Sequence, residues 1–241
     1  METMDRYSMI TEKNPREILL LRGSGCKWRK CRFCDYHLDF SKDEAANFRL
    51  NKKELEKITG CFGVLEVINS GSFCDLDEKT VAEIQRVCGS KTIRRLHIEC
   101  HWRDRETLPA IRERFARKGI QVIVKMGVET FDPEFREQTL VKGMEYAEPE
   151  AIAKHADEVC LLFGLEGQTA ASMRKDVEIG LRWFQRVCVN LMTKNSSPME
   201  PDQKVMQRFM EEIYPNYRNN GRMDILLENT DFGVGGDGDD K

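Results

Sequence analysis

The chain has 241 residues, of which 40% are hydrophobic and 33% charged, and its formal net charge is -3. This composition is typical of one large globular domain and excludes global disorder and collagen-like repeats. The acidic balance disfavours a broad nucleic-acid surface, and every apolar run is shorter than the ~18 residues of a membrane span. Since the polar N-terminus also lacks the features of a secretory signal, we expect a cytoplasmic protein with no membrane partner.

Apolar runs of strand length alternate with helix-like segments along the chain. The predicted strands span residues 17–21, 64–69, 95–99, 122–128, 158–163 and 187–192, and the predicted helices span 51–59, 76–88, 106–118, 169–186 and 201–214, with a further helical stretch after Asp132-Pro133. Six strand–helix units predict an α/β fold, a parallel sheet with helices on its outer face. Because a complete barrel needs eight units, we predict a single domain built as a partial (βα)6 TIM-like barrel. Its core would cover about 17–215, followed by a tail at about 229–241.

Polar residues follow the predicted strands at their carboxyl ends, where the chemistry of βα-barrels is located. Cys26, Cys31 and Cys34 follow the first strand, Ser70, Gly71 and Ser72 the second, Glu99 and His101 the third, Glu129 the fourth, and Gly164 and Leu165 the fifth. This edge of the sheet is therefore the predicted active site.

Three of the nine cysteines lie within nine residues, in the spacing Cys26-x4-Cys31-x2-Cys34. An odd number of cysteines disfavours a disulfide framework, whereas thiolates suit zinc or iron–sulfur clusters. With His37 as fourth ligand, a closed zinc site would stabilise an α/β binding module without catalysis. Alternatively, the cysteines would hold three irons of a [4Fe-4S] cluster and leave the fourth iron open to another ligand. The position at the end of the first strand favours the cluster.

The triad and four further loops resemble the radical S-adenosylmethionine (SAM) superfamily over roughly residues 18–192. The resemblance implies that Cys26, Cys31 and Cys34 bind a [4Fe-4S] cluster and that Phe33 leans toward the adenine of SAM. The common spacing in the superfamily is C-x3-C-x2-C. This chain has one extra residue in the first gap, which can bulge without moving the thiolates much and marks an atypical branch.

The other loops extend the resemblance to the cofactor contacts. The Ser70-Gly71-Ser72 loop matches the glycine-rich motif that receives the methionine amino group, and Glu99 is placed to contact the ribose or the methionine end. The stretch around Glu129, the Lys142-Gly143 pair and the loop from Gly164 and Leu165 to Thr169 are similar to coproporphyrinogen-oxidase-like and elongator-like members. Glu129, Gly164 and Leu165 are therefore implied to contact SAM.

The short length, the Ser70 loop and the triad spacing most resemble the queuine lyase branch, whose members cleave the glycosidic bond of queuosine 5'-phosphate. The resemblance implies a 5'-deoxyadenosyl radical, a small nucleotide substrate and a flavodoxin- or ferredoxin-type electron donor. An alternative is a radical SAM enzyme that modifies a tRNA base, of the archaeosine type, which would require a basic face. Product analysis separates these two, and metal content separates both from the zinc-stabilised module.

Substrate contacts are predicted from loop position and charge. A substrate phosphate needs a cation, for which His101 and Arg103 are favoured because they directly follow the third strand. Other candidate cations are Lys27, Arg29, Lys30, Lys142 and Lys194. Tyr36 and His37, just after the triad, are placed to line the site. In the tail, Asn229 and Asp231 could bond a deazaguanine ring.

Overall fold

The computed structural model describes residues 5–227. This part of the chain divides into two compact units, residues 5–27 with 36–125, and residues 28–35 with 126–227. The organisation of the chain as a single domain stays a prediction.

The first unit is built mainly from parallel strands and the helices that connect them. Its elements are β1 (Tyr7–Ile10), β2 (Arg16–Leu21), α1 (Glu44–Leu55), β3 (Val64–Asn69), α2 (Glu78–Ser90), β4 (Arg95–Glu99), α3 (Leu108–Ala116) and the first part of β5 (Gln121–Glu129). β2 to β5 are parallel neighbours in chain order, whereas β1 pairs with β2 in the antiparallel sense. Three 3-10 turns, at Tyr36–Leu38, Phe73–Asp75 and Trp102–Thr107, lie in the loops.

The second unit repeats the same alternation. Its elements are the end of β5, a π-helical turn (Phe135–Thr139), α4 (Pro149–Ala153), β6 (Glu158–Phe163), α5 (Ala170–Trp183), β7 (Arg186–Leu191), α6 (Gln203–Arg208), a second π-helical turn (Phe209–Ile213), α7 (Tyr214–Tyr217) and β8 (Met223–Leu226). β6, β7 and β8 are parallel neighbours in that order. No helix within residues 5–227 is long and apolar enough to cross a membrane.

The parallel strands are buried on both faces, as parallel sheets usually are. β2 and β6 are buried along their whole length. In the first unit, Leu19, Leu65 and Leu96 pack into the core with the helices. The alternate residues point to the other face, and Glu66 and His97 are buried there in register with each other. Alternation along each strand thus separates an apolar helix-facing side from a side that carries charge.

The six predicted strands are confirmed as β2 to β7 with end shifts of at most one residue. The first predicted helix, 51–59, is wrong in its bounds, since α1 begins at Glu44, where Asp43 accepts a hydrogen bond from Ala46 N (2.9 Å) and caps it. The buried face of α1 carries Asn47 and Asn51, and these polar residues interrupt the apolar pattern by which a helix is recognised in a sequence. β1 and β8 were not predicted, because four residues are too few for a periodic pattern.

Candidate functional site

In the first unit, a tight turn after β3 is packed against the cysteine loop. The Cβ of any residue larger than glycine at Gly71 would lie 2.5 Å from Asp75 Oδ2 and 3.0 Å from the Cα and N of Cys26. The backbone N–H of Cys26 donates to Ser70 O at 2.8 Å. The loops after the first two predicted strands therefore meet, as the sequence predicts, and Cys26 is half-buried where they do.

Two carboxylates that the sequence analysis missed hold this turn. Ser72 N donates to Asp75 Oδ2 at 2.8 Å, and Ser72 Oγ donates to Asp104 Oδ2 at 2.5 Å. Ser72 Oγ also accepts from His101 N at 3.0 Å, which joins the loops after β3 and β4. The signal in the sequence was the spacing of Ser72 and Asp75, which is that of a capping box.

Lys27 lies beside the same carboxylates. Its ammonium is 3.0 Å from Asp75 Oδ1 and 3.4 Å from Asp104 Oδ1. Burial alone would lower the pKa of Lys27, but its hydrogen bond and charge interaction with Asp75 outweigh this and raise the pKa. This candidate phosphate cation is thus already engaged by two acidic groups.

A third carboxylate, Asp39, supports the turn from another side. Ser70 Oγ donates to Asp39 O, and Arg6 binds the Asp39 carboxylate through two hydrogen bonds of 2.8 and 3.0 Å. Arg6 also donates to Leu20 O at 3.2 Å, which ties the pair to β2. No local sequence pattern indicated this contact, since 33 residues separate Arg6 from Asp39.

The predicted substrate residues of the first unit lie in the expected loops. His101 caps a 3-10 turn, where its Nδ1 accepts from Arg103 N at 3.2 Å, and the Arg103 side chain is exposed. Tyr36 and His37 are half-buried in their own 3-10 turn. Glu99 is half-buried at the end of β4. The roles of these residues toward a substrate or SAM stay predictions.

In the second unit, segment 28–35 carries Cys31 and Cys34. Arg29 has a φ of +51°, a left-handed conformation that few residues other than glycine adopt. The Trp28 indole N–H donates to Val141 O at 2.7 Å, and a Cβ at Gly143 would lie 2.5 Å from the Trp28 ring. Trp28 therefore docks closely on the segment that follows the first π-helical turn.

Phe33 is the apolar anchor of this cysteine segment. Only 4% of Phe33 is exposed, and it belongs to a buried cluster with Leu140, Leu162, Leu165 and Met192, against which Cys31 and Cys34 pack. Phe33 O accepts from Asn195 Nδ2 at 2.9 Å, and Arg32 N donates to Leu140 O at 3.0 Å. None of the nine cysteines, all of which lie within residues 5–227, is in a disulfide. Within residues 5–227 no three His, Cys, Asp or Glu side chains are grouped as ligands of one metal ion.

A buried ion pair lies next to Phe33. Lys142 Nζ is 2.7 Å from Glu129 Oε1 and 5.5 Å from the Phe33 ring centroid. Burial would lower the pKa of Lys142, but the charges of Glu129 and then Cys31 outweigh this and raise it. Glu129 has a φ of +69°, strained for a residue other than glycine. Lys142, one of the candidate phosphate cations, is therefore a buried cation that is paired with Glu129.

The remaining candidates are placed as follows. Gly164 has a φ of +94°, and a Cβ there would lie 2.9 Å from Met206 Cγ. Leu165 N donates to Gln168 Oε1 at 3.0 Å, which closes the loop after β6. Lys194 is exposed, 3.8 Å from Glu200. Asn229 and Asp231 lie outside the described residues.

A second charged group, on the sheet face opposite the helices of the first unit, was also missed. Glu66 accepts hydrogen bonds from Arg16 Nε and Lys125 Nζ, and all three residues are buried. Burial would raise the pKa of Glu66, but the charges of Lys125 and then Arg16 lower it. Glu66 stands between two apolar residues of β3, so the sequence alone marks it only as a strand position.

No protein-family model matches the chain, and no curated protein matches it. Among solved structures, the chain is similar to a queuine lyase from Clostridium spiroforme bound to SAM and queuine, with 43% identity, 97% of this chain and 100% of that chain covered, and a TM-score of 0.91. It is also similar to SuiB of Streptococcus suis (10% identity, 86% and 48% covered, TM-score 0.54) and to methylornithine synthase, PylB (14%, 91% and 74%, 0.50). These two weaker likenesses show the fold alone, and with the first they confirm the predicted fold class.

Proposed function

The chain belongs to the queuine lyase family of radical SAM enzymes, and we propose that it cleaves the glycosidic bond of queuosine 5'-phosphate to release queuine in queuosine salvage. The observation that carries the proposal is the 43% identity, over 97% of the chain, to a queuine lyase whose structure holds SAM and queuine. The reaction is that of a lyase that breaks a carbon–nitrogen bond.

The donor set of the cysteine triad fits a [4Fe-4S] cluster. Cys26, Cys31 and Cys34 are half-buried and form no disulfide, and thiolates are the usual ligands of such clusters. One zinc ion would need its thiolates at about 2.3 Å from a single point, whereas four irons span a larger distance. We propose that these three cysteines hold the cluster. When bound, the reduced cluster and SAM supply a carbon-centred radical that removes one hydrogen atom from the substrate.

The loops around the triad have the properties that binding of SAM requires. The buried amide oxygen of Asn69, directly before the Ser70-Gly71-Ser72 turn, has no hydrogen-bond partner among the described residues, so it can accept a bond from an ammonium group. Phe33 and Leu165 are buried in one apolar cluster, against which Cys31 and Cys34 pack, and such a cluster excludes water. We therefore assign SAM binding to this turn and to Phe33, Glu99, Glu129, Gly164 and Leu165.

Substrate binding is assigned to the polar residues of the loops in the first unit. Arg103 presents an exposed guanidinium, which is suited to a phosphate, and His101 orients its loop through the bond from Arg103 N. Tyr36 and His37 would contact the base or the sugar, and we propose the same for Asn229 and Asp231. Lys142 is omitted from this set because Glu129 and burial already engage its ammonium.

The reaction needs one electron at a time, so we propose a flavodoxin- or ferredoxin-type donor as partner and the cytoplasm as location. The net charge of -3 agrees with a small nucleotide substrate better than with a whole tRNA.

The test is an anaerobic assay of the reconstituted and reduced protein with SAM and either queuosine 5'-phosphate or queuosine-containing tRNA. We expect 5'-deoxyadenosine and free queuine from the nucleotide, and loss of both products in Cys31→Ala. Cys61→Ala is the matched control, because Cys61 is an exposed cysteine outside the triad and its variant should keep full activity. Formation of 5'-deoxyadenosine without queuine would contradict the proposal that queuosine 5'-phosphate is the substrate. Bound zinc with no iron and no 5'-deoxyadenosine would contradict the reaction class.

A further inference from the structure

The Glu129–Lys142 ion pair is buried to an extent that stability alone does not explain. Lys142 is 9% exposed and Glu129 6% exposed, and Nζ lies 2.7 Å from Oε1. Buried ion pairs seldom add net stability, because removing both charges from water costs about as much as their attraction returns. Glu129 also holds a left-handed backbone conformation at the end of β5, which adds strain.

The cation of this pair lies beside the cysteine segment. Its ammonium is 5.5 Å from the ring centroid of Phe33, which stands between Cys31 and Cys34 in the sequence and packs in the same apolar cluster as both. After Glu129, the charges that Cys31 and Cys34 carry as thiolates raise the pKa of Lys142. Inside an apolar cluster such an interaction is screened much less than at a surface.

We propose that the Glu129–Lys142 pair sets the reduction potential of the cluster held by Cys31 and Cys34. The inference rests on the proposed function, since it requires that a cluster be present. A positive charge near the cysteines stabilises an added electron and makes reduction easier. The Glu129 carboxylate offsets part of that charge and keeps Lys142 in place. Both residues are positioning residues in this role and need not touch the reacting atoms.

A purely structural role makes a different prediction. Lys142 lies between Val141 and Gly143 in the chain. Val141 O accepts a hydrogen bond from Trp28, and Gly143 packs against the Trp28 ring. If the pair only stabilised this docking, removal of either charge would disturb the cluster in the same direction. If the pair acts through its charges, the two removals must shift the potential in opposite directions.

The experiment is a redox titration of the reconstituted protein, without substrate, followed by electron paramagnetic resonance at alkaline pH, where carboxylates are ionised. In Lys142→Met we expect the ratio of reduced to oxidised cluster at a fixed potential to fall about tenfold, equivalent to about 59 mV for one electron. Glu129→Gln should shift the potential the other way. The double variant should return close to the wild-type potential. The control is Lys30→Met, since Lys30 is an exposed lysine of the same segment and should cause little shift.

Each outcome decides the inference. Shifts in the same direction, or unchanged potentials in variants with full iron content, would overturn it. Lys142→Met leaves the buried Glu129 carboxylate without its cation and could for that reason lose its cluster. In that case the potentials of Glu129→Gln and of the neutral double variant still test the inference, because neither leaves an unpaired carboxylate. A wild-type protein that forms no [4Fe-4S] cluster would contradict the proposed function instead, and iron and sulfide analysis detects that case separately.

Discussion

The glycine-rich turn of the first unit is held by hydrogen bonds to carboxylates, whereas the cysteine segment of the second unit combines hydrogen bonds with apolar packing. Asp75 and Asp104 each bind Ser72, and Ser70 O accepts from Cys26 N. Segment 28–35 is held by hydrogen bonds at Trp28 and Phe33, and in addition by the apolar cluster around Phe33 and the contact of Trp28 with Gly143. Each region carries part of the Cys26, Cys31 and Cys34 triad, whose role as cluster ligands is a proposal, and each supports its cysteines by different contacts.

The difference shows where an inserted residue can be tolerated. Hydrogen bonds are directional and lose most of their strength when geometry shifts, so the turn leaves no room for an extra atom. Apolar packing is less directional, provided that volume is conserved. Three of the four residues in the first gap of the triad lie in segment 28–35, where Arg29 has a left-handed conformation.

The largest effect is expected from Gly71→Ala, which adds a methyl group to the hydrogen-bonded turn. Its Cβ would lie 2.5 Å from Asp75 Oδ2, and Asp75 cannot retreat without releasing Ser72 N. We expect SAM affinity to fall by about 100-fold, or about 3 kcal/mol, measured by calorimetry. Gly89→Ala is the control, since nothing lies within 4 Å of a Cβ in that helix. Unchanged SAM binding in Gly71→Ala would show that the turn can yield, and the comparison would fail.

Gly143→Ala tests the apolar-packed segment. Its φ of +73° and the 2.5 Å approach to the Trp28 ring both oppose a Cβ. We expect the free energy of unfolding to fall by about 2–4 kcal/mol, from backbone strain of about 1–2 kcal/mol and the remainder from the clash. Gly119→Ala isolates the strain, because its φ is +70° with nothing within 4 Å. Equal losses of stability in the two variants, by urea denaturation, would mean that Trp28 docking contributes nothing.

Asp176 is a buried carboxylic acid in the second unit, and its protonation makes the free energy of unfolding depend on pH. Its carboxylate accepts from Phe131 N and Thr130 Oγ1, both neutral groups, at 2.8 Å. Burial raises its pKa from 3.8 to about 6. The folded state therefore binds a proton more tightly than the unfolded state, so its contribution to stability is present at low pH and is lost as pH rises through about 6.

At about 1.4 kcal/mol per pKa unit this contribution is at most about 3 kcal/mol. We expect Asp176→Asn to remove the fall in stability between about pH 4 and 6, measured by denaturation across that range. Asp202→Asn, which alters a half-buried helix cap, should keep the wild-type pH dependence. An unchanged pH profile in Asp176→Asn would assign that dependence to other groups.

The sequence by itself determined six of the strands, the positions of the polar loops and the cysteine triad. Six strands follow from apolar runs because a buried parallel strand needs consecutive apolar residues. Gly71 and Gly164 stand out because their types and positions match a known motif. These features depend on neighbours in the chain, and a local pattern is enough to find them.

Only the tertiary structure decided which charged side chains pair with one another and which of them are buried. Arg6 reaches Asp39 across 33 residues, and Glu66 finds Lys125 across 59. Lys142 is one of the candidate phosphate cations in the sequence, yet it is buried against Glu129. The physical reason is that a side chain's partner and its exposure depend on strands brought together by the fold, and no local pattern records that proximity. The same holds for the short strands β1 and β8, whose four residues each become strands only through their neighbours.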